Sequence, residues 1–128
     1  MAVEGTSLQL TLPPDPRLLR ILRLATSGVA SLGAFDLDEV EEIRVGVDEL
    51  GATLMNLSTG APIEVTIELT DTALCVDVRT PLGGRELDVD PLTDRILDVV
   101  ATNHEWRTDH DVAHGHLEKD MSAATSPA

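Results

Sequence analysis

Aromatic residues are almost missing from this sequence. Phe35 and Trp106 are the two that occur among 128 residues, and there is no tyrosine. A core built from this chain must therefore be aliphatic. We predict that Trp106 anchors packing rather than stacks on a ligand, because no second aromatic residue accompanies it.

Cysteine is equally scarce. Cys75 stands alone, which excludes a disulfide framework within the chain. It lies in an apolar strand pattern, so we predict that its side chain behaves as a small buried hydrophobe.

Basic residues are few compared with acidic ones. Nine Lys and Arg against 23 Asp and Glu give a formal net charge of −14. Such a charge repels nucleic acid and anionic membrane surfaces and attracts a basic partner. No stretch approaches the ~20 apolar residues of a membrane helix, and the N-terminal MAVEGTSLQL lacks a basic region followed by an apolar one. We expect a cytoplasmic protein with neither a nucleic-acid nor a membrane partner.

Alternation of apolar and polar side chains predicts five strands. The second and third are separated by a tight turn at residues 71–72, and the fourth and fifth by a turn at residues 109–111. Each pair therefore indicates a β-hairpin. The predicted strands span residues 7–12, 63–69, 74–79, 103–108 and 112–119.

Apolar residues at three- and four-residue steps predict three helices. Asp-Pro pairs at positions 15–16 and 90–91 mark the starts of the first and last helix. Asp36 or Asp38 opens the central one, with acidic residues in its first turn. The predicted helices span residues 16–32, 36–57 and 91–101. The predicted buried sides are Leu18, Leu22, Ala25, Val29 and Leu32 in the first helix, and Leu92, Ile96, Val99 and Val100 in the last.

These elements predict an α/β (α+β) two-layer sandwich, in which three helices cover one face of a mixed, mostly antiparallel sheet. Because no repeat or linker is visible, we expect residues 1–119 to form a single domain. Residues 120–128 are small and polar with one proline, and are expected to form a disordered tail.

The central helix carries the candidate functional residues. Its polar side groups Glu49, Thr53 and Asn56, together with Glu42. This side could line a pocket or be an ordinary solvated face, and the sequence leaves both open. The opposite, apolar side is formed by Val40, Ile43, Val47, Leu50 and Leu54.

The central helix, the first hairpin and the last helix with its strand read LDEVEEIRVGVDELGATLM, IEVTIEL–ALCVDV and DPLTDRILDVVATNHEW. In this order they resemble the small serine-kinase anti-sigma factors of the histidine-kinase-like ATPase superfamily, in particular the divergent actinobacterial members. The resemblance covers nearly the whole chain and implies a reduced form of that fold. Such proteins hold a sigma factor away from RNA polymerase and release it when an anti-anti-sigma (STAS-type) partner takes its place.

The resemblance implies roles for three residues of the central helix. Glu49 matches a glutamate that orients a water or hydroxyl for attack. Thr53 stands where the family has a Mg²⁺-holding asparagine, and its hydroxyl could assist the cation less effectively. Asn56 lies on the same side but one turn out of register. The alternatives for Glu49 are a working base, a vestigial one and a plain solvated carboxylate.

Other nucleotide motifs of the family are missing. In the family, an adenine-binding aspartate is followed closely by glycines. Here Arg79 or Thr80 stands near the position expected for that aspartate, and Gly83 and Gly84 lie too far along the chain to match the glycines. Residues 87–93 contain no glycine, although a phosphate-cradling loop needs it. No lysine or arginine is well placed to offset the nucleotide charge. The resemblance therefore implies a degenerate site. We expect no cofactor, with ATP and Mg²⁺ as the open alternative.

Three of the nine basic residues, Arg17, Arg20 and Arg23, gather on the exposed side of the first helix. Such a stripe is either a solubilising face or a partner-docking surface. The resemblance favours docking, since the first helix contributes to partner binding in this family.

Four histidines lie in the C-terminal quarter, at His104, His110, His114 and His116. His114 and His116 share one strand face because they are two residues apart. A zinc site needs three or four converging ligands, and we expect no cysteine to assist these histidines. We predict exposed strand histidines and no metal site.

The leading functional hypothesis is a non-enzymatic or weakly enzymatic anti-sigma factor, expected to be a homodimer, that captures a sigma factor and is released by an anti-anti-sigma protein. The alternatives are an ATP-dependent serine kinase acting on an anti-anti-sigma protein, and an orphan regulatory module of the same fold.

Overall fold

The helices and strands lie close to the positions predicted from hydrophobic periodicity and from the capping and proline residues at the helix ends. The structure is a computed structural model that describes residues 5–122. Its strands are β1 Thr6–Leu12, β2 Ile63–Leu69, β3 Ala73–Pro81, β4 Asn103–Asp109 and β5 Val112–Asp120. Its helices are a 3-10 turn Pro16–Leu18, α1 Leu19–Ala30, α2 Leu37–Leu57 and α3 Pro91–Val100.

The strands form one five-stranded sheet in the order β1-β2-β3-β5-β4. Each of the four pairings is antiparallel, and both predicted hairpins are present. The β4–β5 hairpin turns through His110 and Asp111, whose φ angles of 49° and 62° are left-handed, as a two-residue hairpin turn requires. The predicted two-layer α+β sandwich is confirmed, with a sheet that is antiparallel throughout the described chain.

The apolar stripe of α2 fills the space between the helices and the sheet. Ile43, Val47, Leu50 and Leu54 are at most 1% exposed. Burying one such aliphatic side chain stabilises the fold by roughly 1.5–3 kcal/mol. These four residues therefore contribute much of the free energy gained from the core. The predicted stripe is therefore confirmed at these positions, while Val40, nearer the N-terminal end, is half-buried.

The N-terminus of α2 is closed by a reciprocal capping box. The Glu39 N–H donates to Asp36 Oδ1 at 2.8 Å, and the Asp36 N–H donates to Glu39 Oε1 at 3.0 Å. Asp36, rather than Asp38, is therefore the N-cap. The second Glu39 oxygen accepts from the Ser122 N–H at 3.3 Å, which joins the start of α2 to the end of β5.

The first helix is shorter than predicted. Residues 16–18 form a 3-10 turn, and α1 ends at Ala30. Leu32 lies beyond that end and is 51% exposed, so its predicted burial is wrong. Thr26, which the pattern did not predict as buried, is fully buried. Its hydroxyl donates to the Leu22 carbonyl at 2.8 Å, which satisfies its hydrogen-bonding group in the core.

The buried side of α3 also differs from the prediction. Thr93, Leu97 and Val100 are buried, whereas Leu92 and Val99 are 59% and 77% exposed. The buried residues follow steps of four and three, which form one stripe on a helix. This stripe faces α2, where Leu97 and Val100 surround Gly46.

The folded region extends beyond the predicted boundary at residue 119. Asp120 belongs to β5, and Met121 is 3% exposed. Met121 donates its N–H to the Thr72 carbonyl at 2.8 Å, and its sulfur accepts from the Ala34 N–H at 3.4 Å. The rest of the predicted tail, residues 123–128, lies outside the described residues.

Over residues 5–122, none of the helices has the length and apolar character needed to span a bilayer.

We predict that Glu39→Gln weakens the capping box. The hydrogen bond from the Asp36 N–H lowers the pKa of Glu39 below its ordinary 4.5, so the charged form is stabilised by folding. That stabilisation is present above about pH 4.5 and is lost as the pH falls through the folded pKa. Urea unfolding at pH 7 should show a loss of about 0.5–1 kcal/mol, shrinking below pH 4. Glu41→Gln, an exposed change in the same helix, is the control. An equal loss in both variants would contradict the prediction.

Candidate functional site

The polar side of α2 lines an open cleft of about 900 Å³. The loop before α3 and the first turn of α3 form its other walls. The lining residues are Glu49, Ala52, Thr53, Asn56, Leu57, Arg85, Glu86, Leu87, Asp88, Asp90, Pro91 and Thr93. The structure therefore brings Glu49, Thr53 and Asn56 together on one wall. Of the two readings of this side of α2, the pocket wall is the one that the geometry supports.

Glu49 is joined to the opposite wall of the cleft. Its Oε1 accepts a hydrogen bond of 3.0 Å from the Thr93 hydroxyl, in the first turn of α3. Thr93 is 8% exposed, and Glu49 is half-buried. This bond ties α2 to α3 and satisfies a buried hydroxyl. Glu49 thus helps to hold α2 against α3. Sequence periodicity could not predict this hydrogen bond, because the two residues are 44 positions apart.

The cleft is acidic. Four carboxylates line it, and Arg85 is the one basic residue among its lining residues. Arg85 Nη1 donates to the Leu57 carbonyl at 2.9 Å, so the guanidinium also closes the C-terminal end of α2. We expected no lysine or arginine that is well placed to offset a nucleotide's charge; Arg85 lies in the cleft, but its guanidinium is engaged with the Leu57 carbonyl. The four carboxylates belong to Glu49, Glu86, Asp88 and Asp90.

Two backbone N–H groups near the cleft are occupied by carboxylates of the chain itself. Gly83 and Gly84 have φ angles of +61° and +83°. The Gly84 N–H donates to both carboxylate oxygens of Asp111 at 3.0 Å, which fastens this loop to the β4–β5 turn. At the start of α3, Asp90 Oδ1 accepts from the Leu92 N–H at 2.9 Å. Asp90 thus occupies the helix terminus that would otherwise attract a phosphate.

The two residues proposed near the adenine-binding position are also engaged elsewhere. Thr80 is 1% exposed and donates its hydroxyl to the Pro62 carbonyl at 3.2 Å. Arg79 points to the other face of the sheet, where Nε lies 2.6 Å from Glu64 Oε2. Neither residue lines the cleft.

The three arginines of the first helix region have different surroundings. Arg17 binds the Asp15 carboxylate at 2.7 Å, and that hydrogen bond lowers the pKa of Asp15. Arg23 lies 3.2 Å from Asp48 on α2. Burial raises the pKa of Asp48, and Arg23 partly offsets that rise. Among the described residues, Arg20 is the member of the stripe with no acidic group in ion-pair contact.

The C-terminal hairpin separates its side chains between two faces of the sheet. Trp106 packs against the core and donates Nε1–H to Asp94 at 3.0 Å, so its predicted anchoring role is confirmed. His104 lies 3.3 Å from the same carboxylate and 3.5 Å from Asp98, and its side chain is 15% exposed, so the prediction of an exposed histidine is wrong at this position. His114 lies on the opposite, uncovered face, as its spacing predicts.

Cys75 also lies on the uncovered face of the sheet. It is half-buried, and its Sγ is 3.7 Å from Glu118 Oε1. Burial, followed by the charge and hydrogen bond of Glu118, raises the pKa of the thiol to about 12. The prediction of a buried hydrophobe is wrong, because the alternation of β3 turns Leu74 and Val76 inward and Cys75 outward.

Comparison with known proteins gives no assignment, since no family model matches the chain and no curated protein matches its sequence. Its function is therefore inferred from the cleft, the surface charges and the resemblance of its helical and hairpin segments.

We predict that Thr93→Val lowers the free energy of unfolding by about 1 kcal/mol, because it removes the hydrogen bond to Glu49 at nearly constant volume. Thr93→Ser keeps the hydroxyl and removes a buried methyl group, so it measures the contribution of the methyl separately, at about 0.8 kcal/mol. Urea unfolding at pH 7 measures both. An unchanged stability of Thr93→Val would show that the bond between α2 and α3 contributes nothing.

Proposed function

We propose that this protein is a non-enzymatic anti-sigma factor, which captures a sigma factor through its α1 face and gives it up to an anti-anti-sigma partner. The observation that carries the non-enzymatic part is the state of the cleft. The Leu92 N–H at the start of α3 is bonded to Asp90, the nearby Gly84 N–H is bonded to Asp111, and Glu49 is bonded to Thr93.

The charge of the cleft supports the same conclusion. A nucleotide triphosphate brings several negative charges to a wall with four carboxylates and one arginine. Mg²⁺ could offset part of the repulsion. The Thr53 side chain is shorter than that of an asparagine, however, so its hydroxyl reaches less far towards the cation. A basic segment of a protein partner fits this electrostatic field better than a free nucleotide does.

The outer face of α1 has the composition of a docking surface. Leu24 and Ile21 are 65% and 43% exposed. Leu24 lies one helical turn after both Arg20 and Ile21, at spacings of four and three residues. Exposed aliphatic side chains next to an arginine supply both apolar contact and a bidentate partner for a carboxylate. Arg23 is held by Asp48, so it contributes to this surface less directly. In the expected homodimer, exposed residues of the helical layer would form the interface between the two copies.

A serine kinase is the second candidate. It is favoured by one observation, the convergence of Glu49, Thr53 and Asn56 in a cleft of about 900 Å³. In that case Glu49 would position the serine hydroxyl of an anti-anti-sigma protein, and Thr53 would assist Mg²⁺. The carboxylate would first have to leave the Thr93 hydroxyl. An orphan regulatory module of the same fold is the third candidate.

We predict that calorimetric titration with Mg-ATP at millimolar concentration gives no saturable heat, because four carboxylates line the cleft and Asp90 occupies the N-terminus of α3. The kinase hypothesis predicts the opposite. A saturable signal that is lost in Glu49→Ala and Thr53→Ala would overturn the non-enzymatic proposal, and phosphate transfer to a serine of an anti-anti-sigma protein would then be assayed.

We predict that Arg20→Glu weakens binding of the sigma factor roughly tenfold, since losing an interface arginine commonly costs more than 1 kcal/mol. Arg95→Glu on α3 is the matched control, because it makes the same charge change at an exposed helical position. Arg23→Glu is unsuitable, since it would face Asp48.

The binding partner for that measurement is found by pull-down with the full chain, followed by titration with the purified sigma factor. Equal affinity of the Arg20→Glu and Arg95→Glu variants would show that α1 is not the docking surface. Absence of any sigma factor among the captured proteins would favour the orphan-module alternative.

A further inference from the structure

Two rows of polar side chains cross strands β3 and β5 on the uncovered face of the sheet. In one row Cys75 is directly opposite Glu118, and in the next Asp77 is directly opposite His116. Directly opposed side chains on one face of an antiparallel pair lie about 4.5–5.5 Å apart at Cβ, close enough to share a small ligand. The sheet register thus brings together a thiol, an imidazole and two carboxylates.

Three of these side chains already converge. The Cys75 sulfur, a ring nitrogen of His116 and a carboxylate oxygen of Glu118 all lie within 4.8 Å of one another. The sulfur is 3.7 Å from Glu118 Oε1. Two ligand atoms held tetrahedrally on zinc by one S and one O bond are about 3.6 Å apart, from the usual bond lengths. The Cys75 thiol and Glu118 make a hydrogen bond at this distance, and the same separation fits two ligands of a tetrahedral site.

The histidine is oriented in the way that metal-binding histidines usually are. His116 Nδ1 lies 2.8 Å from Asp77 Oδ1. A carboxylate accepts hydrogen bonds, so Nδ1 carries a proton in this contact, and in the neutral ring of that tautomer the lone pair is on Nε2. A carboxylate bonded to the second ring nitrogen is the usual outer partner of a metal-bound histidine.

The surrounding charge favours a cation. Glu68 is opposite Cys75 on β2, and Glu105 is opposite His116 on β4. Two arginines of this face, Arg79 and Arg107, lie one row away, on either side of His114, and they are paired with Glu64 and Asp109 respectively. A divalent ion would relieve the mutual repulsion of these carboxylates.

We propose that Cys75, His116 and Glu118 form a site for a divalent transition-metal ion, best matched by Zn²⁺, with Asp77 as the outer residue that orients His116. Sulfur and imidazole ligands select zinc over Mg²⁺ or Ca²⁺, which prefer oxygen. Binding displaces the thiol proton to solvent and forms a thiolate–metal bond. A water molecule takes the fourth position. The site is separate from the α2–α3 cleft, and its existence does not rest on the proposed regulatory function.

The test is titration of the metal-free full-length chain with Co²⁺, followed by competition with Zn²⁺. We expect a thiolate-to-cobalt charge-transfer band in the near ultraviolet and the strong visible bands of tetrahedral cobalt. Zn²⁺ should abolish both and raise the melting temperature. Cys75→Ser should remove the charge-transfer band, and Asp77→Asn should weaken Zn²⁺ binding about 10- to 100-fold, the usual effect of losing an outer partner.

The matched pair of variants is His116→Ala and His114→Ala. Both histidines lie on β5 and face the same side, but His114 is opposite Arg79 rather than Asp77. His116→Ala should lose binding, and His114→Ala should keep it. Circular dichroism confirms that each variant is folded. Metal binding without a charge-transfer band, or binding that Cys75→Ser leaves unchanged, would show adventitious surface binding and overturn the proposal.

Discussion

The close approach of α2 to the sheet is the constraint on which the rest of the fold depends. A Cβ added to Gly46 would lie 2.4 Å from Leu117 Cδ1, and one added to Gly115 would lie 2.7 Å from the Trp106 ring and 3.1 Å from Leu50. Side chains from β5, β4 and α2 therefore occupy the space that these two glycines leave. Larger residues would push the helix outward and open a dense aliphatic core, in which even small volume changes are costly.

The packing of α2 against the sheet and α3 also determines which side chains line the cleft. With Gly46 against the sheet and α3, the polar side of α2 faces the first turn of α3, and Glu49 meets Thr93. Several polar groups around the cleft join parts of the chain. Arg85 closes α2, and Asp111 binds the loop glycine Gly84. Together with the bond between Glu49 and Thr93, these contacts connect α2, α3 and the loops that surround the cleft.

The sequence was informative where a single periodicity was unambiguous. Alternation predicted both hairpins, and the spacing of Glu49, Thr53 and Asn56 predicted their common side. Prediction failed for α3, because a ten-residue helix with apolar residues on two sides does not reveal which side packs. That choice is made by Gly46, about 50 residues earlier in sequence. Arg85 and Asp111 were missed for the same reason: their partners are distant in sequence, and only tertiary structure brings them together.

The placement of β5 beside β3, rather than at the edge, gives the two faces of the sheet different chemistry. On the helical side it brings Leu117 under α2 and Trp106 over Gly115. On the uncovered side it brings His116 to Asp77 and Glu118 to Cys75. Local sequence contains no sign of this pairing, since the hairpin β4–β5 could have joined the sheet by either strand. One topological choice therefore completes the aliphatic core and, on the opposite face, assembles a thiol and an imidazole among carboxylates.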